Sequence, residues 1–286
     1  MPIDPSIAIG AELPGTTFTW TASDVLLYHL ALGAGADPTN PRELRYTLEN
    51  DLHTLPTFGV VAPSLRVFEP PAVRFPGISI DLAKVLHGSQ GITLHAPIPV
   101  EGKAHINARI TEVWDKGTAA VIVQEATATA ADGTPLWTTR SSIFARDEGD
   151  FGGSRGPSPT KFEPAGEPDL VIDTPVLPQQ ALLYRLCGDR NPLHADPTFA
   201  TAAGFPAPIL HGLCTYGMVC KALTDTALDA DPTRIHSFEA RFAGVVYPGE
   251  TLRTEAWQVG NTWHAITTVP SRQNAPALTA ITLTFE

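Results

Sequence analysis

The sequence is poor in cysteine and in basic residues, and it contains no long apolar run. The three cysteines are an odd number without metal-type spacing, which predicts reduced thiols: Cys187, Cys214 and Cys220. Nineteen Lys and Arg against 30 Asp and Glu give a net charge of −11, which argues against a nucleic-acid-binding surface. No apolar stretch approaches the roughly 20 residues of a membrane span, and the N-terminal segment lacks a secretory signal pattern. We therefore expect a cytoplasmic protein without a nucleic-acid partner or membrane span.

Apolar residues are nevertheless plentiful. They make up 43% of the 286 residues, so a substantial core can form and wholesale disorder is not expected. The length suits one large domain or two domains of ordinary size. The spacing of the apolar residues therefore indicates how the chain is organised.

The first half predicts one helix followed by an antiparallel sheet. Residues 21–32 have apolar side chains at three- and four-residue spacing, with Thr21 or Ser23 as the N-cap and Gly33 beyond the end. Proline interrupts the apolar segment that follows, which predicts short helical turns and loops. Strands rich in β-branched residues come next, with Gly-containing turns between them: 104–114, 118–130 and 136–145.

The second half repeats the first in outline. LLYHL at 26–30 recurs as LLYRL at 182–186, and LHG at 86–88 recurs as LHG at 210–212. Proline followed by long strands also recurs, with strands predicted at 251–259, 262–269 and 277–285. These matches in the same order indicate an internal duplication. We predict an α+β protein with two antiparallel sheets, each wrapped around a long helix: an N-terminal domain at 1–150, a linker at 151–168 and a C-terminal domain at 169–286.

The long helix of the second unit is predicted over residues 212–228. Three- and four-residue spacing assigns its apolar side chains to the core: Leu213, Tyr216, Gly217, Cys220, Leu223 and Ala227. Gly217 would let the sheet approach the helix closely.

Hydrogen-bonding residues cluster between turn formers at 184–214, YRLCGDRNPLHADPTFATAAGFPAPILHGLC. Asp196 precedes Pro197 and a short run that ends at Gly204, which indicates a helix N-cap. Asp189 follows a glycine and precedes Asn-Pro. It is either a turn aspartate bonded to its own backbone or a catalytic acid, and the local sequence favours neither.

His194 is the candidate base, because an unperturbed imidazole has a pKa of about 6.5. A lone histidine is more often a core or surface residue, but this one follows Asp189 closely on a loop that Pro192 stiffens. Both side chains can therefore face one cleft. A metal site made of His194, Asp196 and His211 is the weaker alternative, because capping occupies Asp196 and no spaced cluster of His or Cys supports it.

The start of the 212–228 helix supplies a third element. His211-Gly212-Leu213 offers no Ser, Thr, Asp or Asn to cap the first amides, so these N–H groups can receive a carbonyl oxygen that gains negative charge. Gly212 permits close approach because it has no side chain. A base, an acid and an oxyanion donor suit the addition of water to a carbon–carbon double bond conjugated to a carbonyl.

The 184–214 segment resembles the signature of the MaoC-like, hydratase 2 family of (R)-specific 2-enoyl-CoA hydratases and 3-hydroxyacyl-CoA dehydratases. The first half resembles the N-terminal part of two-domain members, through YTLENDLHTLPTFGVV and VLHGSQ. The resemblance implies a double hot-dog fold, catalytic roles for Asp189 and His194, polarisation of a thioester carbonyl by the Gly212 amide and a loop-fixing role for Asn191. Cys187 departs from the family, in which Ser commonly precedes Gly-Asp, and this change should not alter the acid–base chemistry.

The family further implies contacts with the acyl-CoA from four other residues: His87, Gly88, Lys116 and Phe242. The ordinary alternatives are an exposed turn lysine for Lys116 and a core aromatic for Phe242. The first half lacks the Asp-x-Asn-Pro-Leu-His run. We therefore expect the N-terminal domain to be non-catalytic and to accommodate the acyl chain.

These observations predict a hydro-lyase that reversibly hydrates trans-2-enoyl-CoA to (3R)-3-hydroxyacyl-CoA in fatty acyl-CoA metabolism, without a metal or other cofactor. The partner would be the acyl-CoA substrate, and the two units would pair as a pseudo-dimer, with a homodimer left open. One alternative is a hot-dog acyl-CoA thioesterase, which would release free CoA. The other is a non-catalytic acyl-CoA-binding protein, which would not require Asp189, Asn191 and His194 together.

Overall fold

The computed structural model describes residues 3–68, 74–81, 84–158 and 162–286. Within these ranges the chain forms seven α-helices: α1 (Pro5–Ala8), α2 (Ala22–Ala31), α3 (Pro41–Thr47), α4 (Phe58–Val61), α5 (Gln180–Tyr184), α6 (Pro197–Ala202) and α7 (Gly212–Ala227). It also forms twelve strands: β1 (Glu12–Trp20), β2 (Arg74–Phe75), β3 (Ile78–Ser79), β4 (Val85–Leu94), β5 (Gly102–Asp115), β6 (Ala119–Thr129), β7 (Pro135–Arg146), β8 (Leu170–Pro175), β9 (Ile235–Phe242), β10 (Thr251–Val259), β11 (Thr262–Val269) and β12 (Ala275–Phe285). Short 3-10 turns lie at Ala62–Ser64, Arg185–Cys187, Pro192–His194, Pro232–Arg234 and Pro270–Arg272.

Ten strands form one antiparallel sheet in the order β1-β5-β6-β7-β4-β9-β12-β11-β10-β8. The order is symmetric about the β4–β9 pair, because β1, β5, β6, β7 and β4 occupy the places that β8, β10, β11, β12 and β9 occupy in the second half. The two predicted sheets are therefore joined edge to edge, and the pairing of β4 with β9 covers an edge of each. The double hot-dog prediction is confirmed, with its two curved sheets fused into one.

The strand boundaries follow the alternation of the sequence. In β11, Trp263, Ala265, Thr267 and Val269 are buried and the residues between them are partly exposed. The buried Thr267 hydroxyl is paired with the Thr254 hydroxyl, with 2.9 Å between the two oxygen atoms. The predicted bounds of β10 and β11 coincide with the observed ones.

Helix α2 begins at the cap that the sequence indicates. The Asp24 carboxylate accepts hydrogen bonds from the Thr21 N–H and from the Thr21 hydroxyl, each at 2.9 Å. These contacts satisfy groups that the first helical turn leaves without a helical partner. The helix ends just before Gly33, whose φ of +90° stops further helical hydrogen bonding.

Helix α7 is buried along most of its length and contacts β8, β9 and β12. The prediction that Gly217 admits the sheet is wrong. A Cβ at this position would lie 2.7 Å from both the Tyr28 hydroxyl and a Leu32 methyl group, so the close neighbour is the end of α2. The glycine therefore serves packing between the two halves.

The first half has a much shorter helical segment in the place of α7. Helix α4 contacts β7 and the 3-10 turn Ala62–Ser64 contacts β1, the strands that match β12 and β8 beneath α7. The two Leu-His-Gly runs do not correspond, because residues 86–88 lie in β4 whereas residues 210–212 lead into α7. LLYHL and LLYRL do lie in corresponding places, since α2 follows β1 and α5 follows β8.

The two halves also meet through side chains. The Tyr28 and Tyr184 ring centroids are 6.1 Å apart, between α2 and α5. Lys221 of α7 is buried and forms ion pairs with Glu43 at 2.8 Å and with Asp225 at 2.7 Å. Because one of its partners belongs to α3 of the first half, this cation links the two units.

All three cysteines are unpaired and buried, in agreement with the expectation of reduced thiols. Among the helices within the described ranges, none has the length and apolar character required to cross a membrane.

Buried His29 makes the fold sensitive to acid. Its Nε2 accepts the Leu55 N–H at 3.2 Å, so the proton lies on Nδ1, which donates to the Tyr46 carbonyl at 3.0 Å. Burial is the main cause that lowers the pKa of His29 from 6.5 to about 3. The unfolded chain binds this proton below a pH of about 6.5, whereas the folded protein does not do so until a pH of about 3. The contribution of His29 to stability is therefore complete above the unfolded pKa and is lost as the pH falls toward the folded pKa.

His29→Gln should weaken this pH dependence, because a Gln amide can also donate to Tyr46 and accept from Leu55. We expect the slope of the unfolding free energy between pH 6 and pH 4 to fall by about 1.4 kcal/mol per pH unit, the equivalent of one proton. Urea unfolding at a series of pH values measures it. An unchanged slope would contradict the burial of a neutral imidazole.

Candidate active site

The loop after the Arg185–Cys187 turn is held against the first half by Gly188. This residue has a φ of +118°, and a Cβ here would lie 2.2 Å from the Ser64 carbonyl oxygen. Only glycine allows both the backbone conformation and the close approach. The loop that carries Asp189 therefore rests on the 3-10 turn that replaces the long helix in the first half.

Asn191 and Asp189 shape the turn between them. The Asp189 Oδ1 accepts the Asn191 N–H at 3.1 Å, and the Asn191 Oδ1 accepts the Leu193 N–H at 3.0 Å, which caps the Pro192–His194 turn. Asp189 thus makes the backbone contact of a turn aspartate, while its other carboxylate oxygen has no hydrogen-bond partner within the described part of the chain. One oxygen positions the loop and the other is available for chemistry.

His194 is buried with a defined tautomer. Its Nδ1 lies 2.9 Å from the Ile209 carbonyl oxygen, which can only accept, so Nδ1 carries the proton and Nε2 is left with a free lone pair. Burial is the largest cause of a lowered pKa at His194, and the Ile209 contact and the charge of Asp189 act in the opposite direction. His194 is therefore neutral near pH 7 and can act as a base through Nε2.

His211 belongs to the same cluster, although the sequence offered it only as a weak metal ligand. Its Nε2–H donates to the Asp189 backbone carbonyl at 3.3 Å, and its ring stacks on the His194 ring with 3.7 Å between centroids. Burial, with His194 as a further cause, lowers the pKa of His211 to about 2, so this ring stays neutral. The sequence feature that could have identified His211 as a site residue is its position just before α7, a helix whose start has no capping side chain.

The metal set that the sequence left as the weaker alternative, His194, Asp196 and His211, does not form, because Asp196 is occupied as a helix cap. Asp196 caps α6 by accepting the Thr198 N–H at 2.8 Å, as its spacing predicts. Asp189, His194 and His211 each offer one nitrogen or oxygen atom that could bind a metal ion, and these three atoms lie within 4.8 Å of one another. Because two of the four imidazole nitrogens already donate to backbone carbonyls, the remaining groups suit a bound water that accepts and donates hydrogen bonds.

Gly212 begins α7, which lacks a side-chain cap at its N-terminus. The Cys214 and Thr215 N–H groups bond to the His211 carbonyl, at 3.1 and 3.2 Å, so the amides of the first two helical residues are left for another acceptor. A Cβ at Gly212 would lie 3.1 Å from the Phe242 ring, which therefore borders this helix end. Gly212 directly follows His211 in the chain, and the His211 ring stacks on the His194 ring.

A cavity of about 590 Å³ contains the remaining predicted contact residues, His87, Gly88, Lys116 and Phe242, in its lining. The His87 and Phe242 ring centroids are 4.5 Å apart, which connects this cavity to the start of α7. Burial is the main cause that lowers the pKa of His87 to about 4, and Asp189 acts on it in the opposite direction. The two halves therefore contribute adjacent rings to the lining of this cavity.

Lys116 lies in the turn between β5 and β6, at the edge of this cavity. Its Nζ donates to the Arg155 carbonyl and, at 3.4 Å, to the Pro157 carbonyl, and it lies 5.0 Å from the Trp114 ring centroid. These partners are uncharged, so the lysine keeps its net positive charge. The segment predicted as a linker is thereby attached to the cavity wall.

Comparison with known proteins accounts for both halves of the chain. The MFE-2 hydratase 2 N-terminal domain matches residues 18–147, and the MaoC like domain matches residues 160–275. The chain is 56% identical over 283 residues to enoyl-CoA hydratase ChsH3 of Mycobacterium tuberculosis, an alignment that covers 99% of each protein. It is also 41% identical over 274 residues to 3-hydroxyacyl-thioester dehydratase Y of the same organism, covering 90% of this chain and 88% of that protein.

A solved structure agrees with these sequence matches. The crystal structure of a MaoC-like dehydratase from Phytophthora capsici superposes with a TM-score of 0.89 at 26% identity, over 99% of this chain and 98% of that chain. The shared fold extends over both hot-dog units and the segment between them. The chain belongs to the MaoC-like, hydratase 2 family.

Proposed function

We propose that the protein reversibly hydrates trans-2-enoyl-CoA thioesters to (3R)-3-hydroxyacyl-CoA in fatty acyl-CoA metabolism. The observation that carries the proposal is the free Nε2 of His194, whose tautomer is set by the Ile209 carbonyl and which lies beside the Asp189 carboxylate. Family membership supports the same activity, since relatives named as enoyl-CoA hydratase and 3-hydroxyacyl-thioester dehydratase align over most of the chain.

In the proposed reaction, Asp189 and His194 hold one water molecule. The pair removes a proton from this water, and the resulting hydroxide adds to C3 of the enoyl group. The C2–C3 π electrons move toward the thioester, and the Gly212 N–H stabilises the negative charge that develops on the carbonyl oxygen. The proton held by the pair then passes to C2, so that the water supplies both added groups and the site returns to its starting state.

We propose that the first half accommodates the acyl chain and takes no part in the proton transfer. Helix α4 and the Ala62–Ser64 turn are shorter than α7, which occupies the matching place in the second half. The loop that carries Asp189 contacts this turn at Gly188. An acyl group that extends from the reacting carbons can therefore lie against the shorter segment.

Asp189, His194 and Gly212 all belong to one chain. We therefore propose that a single copy of the protein is active and that catalysis does not require a homodimer. We also propose a cytoplasmic location, which the three unpaired, buried cysteines support.

The deciding experiment follows crotonyl-CoA and longer trans-2-enoyl-CoA thioesters with the unmodified protein. We expect enoyl absorbance to fall without release of a thiol, and chiral analysis to show the 3R product. Release of free CoA would instead support a thioesterase. Ligand binding without turnover at any chain length would support a non-catalytic acyl-CoA-binding protein.

A further inference from the structure

His211 contacts each of the three groups proposed to carry the reaction. Its Nε2–H donates to the Asp189 backbone carbonyl at 3.3 Å, and its ring stacks on the His194 ring with 3.7 Å between centroids. Gly212 is the next residue in the chain. The proposed reaction uses no atom of the His211 side chain. The structure thus places a buried imidazole among these groups without giving it a step in the reaction.

The His211 side chain is not suited to exchange protons itself. Its Nε2 carries a proton that is already donated to a carbonyl, and its Nδ1 is buried without a hydrogen-bond partner among the residues that the structure describes. Burial is the largest cause that lowers the pKa of this imidazole to about 2, so the ring stays neutral at the pH at which His194 acts. A ring that neither gains nor loses a proton can still hold its neighbours in place.

The hydrogen bond from His211 joins the loop that carries Asp189 to the start of α7. Inside the loop, Asp189 Oδ1 accepts the Asn191 N–H, a contact that shapes the turn only locally. The Asp189 carbonyl accepts no hydrogen bond from the described ranges other than that of His211. The His211 backbone is itself fixed, because its carbonyl accepts two N–H groups from the first turn of α7. The contact therefore fixes Asp189 relative to the helix end that carries the Gly212 amide.

Neighbouring rings fix the direction in which His211 donates. The planes of the His211 and His194 rings are 26° apart, and the Tyr184 ring centroid lies 5.0 Å from that of His211. Rotation of the His211 side chain would break both ring contacts as well as the hydrogen bond. Packing therefore holds the Nε2–H toward Asp189.

We propose that His211 is a positioning residue for the hydration reaction: its Nε2–H holds the Asp189 backbone so that the carboxylate stays beside His194 and the Gly212 amide. This inference rests on the proposed function. The contribution is geometric, because a displacement of reacting groups by about 1 Å costs on the order of 10²-fold in rate. His211 itself exchanges no proton.

His211→Phe and His211→Gln separate the donor from the ring. Phenylalanine keeps an aromatic face against His194 and lacks the N–H, whereas glutamine lacks the ring and places an amide nitrogen as many bonds from Cβ as Nε2. With crotonyl-CoA we expect His211→Phe to lower kcat about 10²-fold at an unchanged KM, because Asp189 is misplaced while substrate binding is retained. His211→Gln should recover most of this loss, because its amide can donate to the same carbonyl.

Two other patterns of activity would overturn the proposal. A residue that exchanged protons would be inactivated equally by both changes, since neither side chain titrates. A residue that acted through its ring alone would be spared by His211→Phe. If phenylalanine prevents folding, His211→Leu removes the same donor with a smaller side chain.

Hydrogen exchange tests the same contact without reference to activity. In His211→Phe the amide hydrogens of the segment 189–195 should exchange faster, because the loop has lost its hydrogen bond to the start of α7, whereas His211→Gln should keep the exchange rates of the unmodified protein. Unchanged exchange in His211→Phe would overturn the proposal while the hydratase activity stands. If the unmodified protein hydrates no enoyl-CoA, the proposed function fails, and the exchange rates still decide whether His211 holds the loop.

Discussion

Asp189→Asn and His194→Asn should each lower the rate of enoyl-CoA hydration by roughly 10²- to 10⁴-fold, the range expected when a positioned acid or base is removed. Both variants should remain folded. Asn at 189 keeps an Oδ1 that can accept the Asn191 N–H, and the amide nitrogen of Asn at 194 can replace Nδ1 as donor to the Ile209 carbonyl. What each variant loses is the group that exchanges a proton with water.

Steady-state kinetics with crotonyl-CoA measure the loss, and thermal unfolding shows whether the fold is kept. Asp196→Asn is the matched control, because Asp196 is an aspartate of the same loop whose structural role is to cap α6. Asn is also a good N-cap, so this variant should keep near-normal activity. Full activity of either Asp189→Asn or His194→Asn would refute the assignment of the acid–base pair.

Gly188→Ala should damage stability and activity together. The new Cβ would lie 2.2 Å from the Ser64 carbonyl oxygen, and the φ of +118° is unfavourable for alanine. We expect the free energy of unfolding to fall by roughly 3 kcal/mol, from backbone strain and overpacking combined. Since Asp189 is the next residue, displacement of the loop by about 1 Å should also cost on the order of 10²-fold in rate.

Gly204→Ala separates the two causes. Gly204 also has a positive φ, +88°, but a Cβ there would have no atom within 4 Å. This control should show only the backbone cost, about 1 kcal/mol, with activity retained. Chemical denaturation and crotonyl-CoA kinetics on both variants provide the comparison. Equal effects at the two positions would show that contact with the first half does not hold the loop that carries Asp189 in place.

Local sequence patterns were sufficient to predict the elements whose ends are set by residues nearby in the sequence. The alternation of β11 predicted its bounds because each side chain sees either the core or solvent, and the Asp196-Pro197 pair predicted the start of α6 because a cap acts within one turn. The spacing that separated Asp189 from Asp196 also led to the residues now proposed as the site.

Contacts between distant segments decided the rest. The two Leu-His-Gly runs are identical in sequence, yet one lies in a strand because it pairs with β7, and the other leads into α7. No local rule distinguishes them. In the same way, the free Nε2 of His194 depends on the Ile209 carbonyl, and the stacked position of His211 depends on how α7 meets the loop. The sequence determines which residues can perform acid–base chemistry. Tertiary packing decides the tautomers of these residues, their neighbours and the cavity beside them. These properties depend on tertiary packing because they arise between segments that approach each other only in the folded chain.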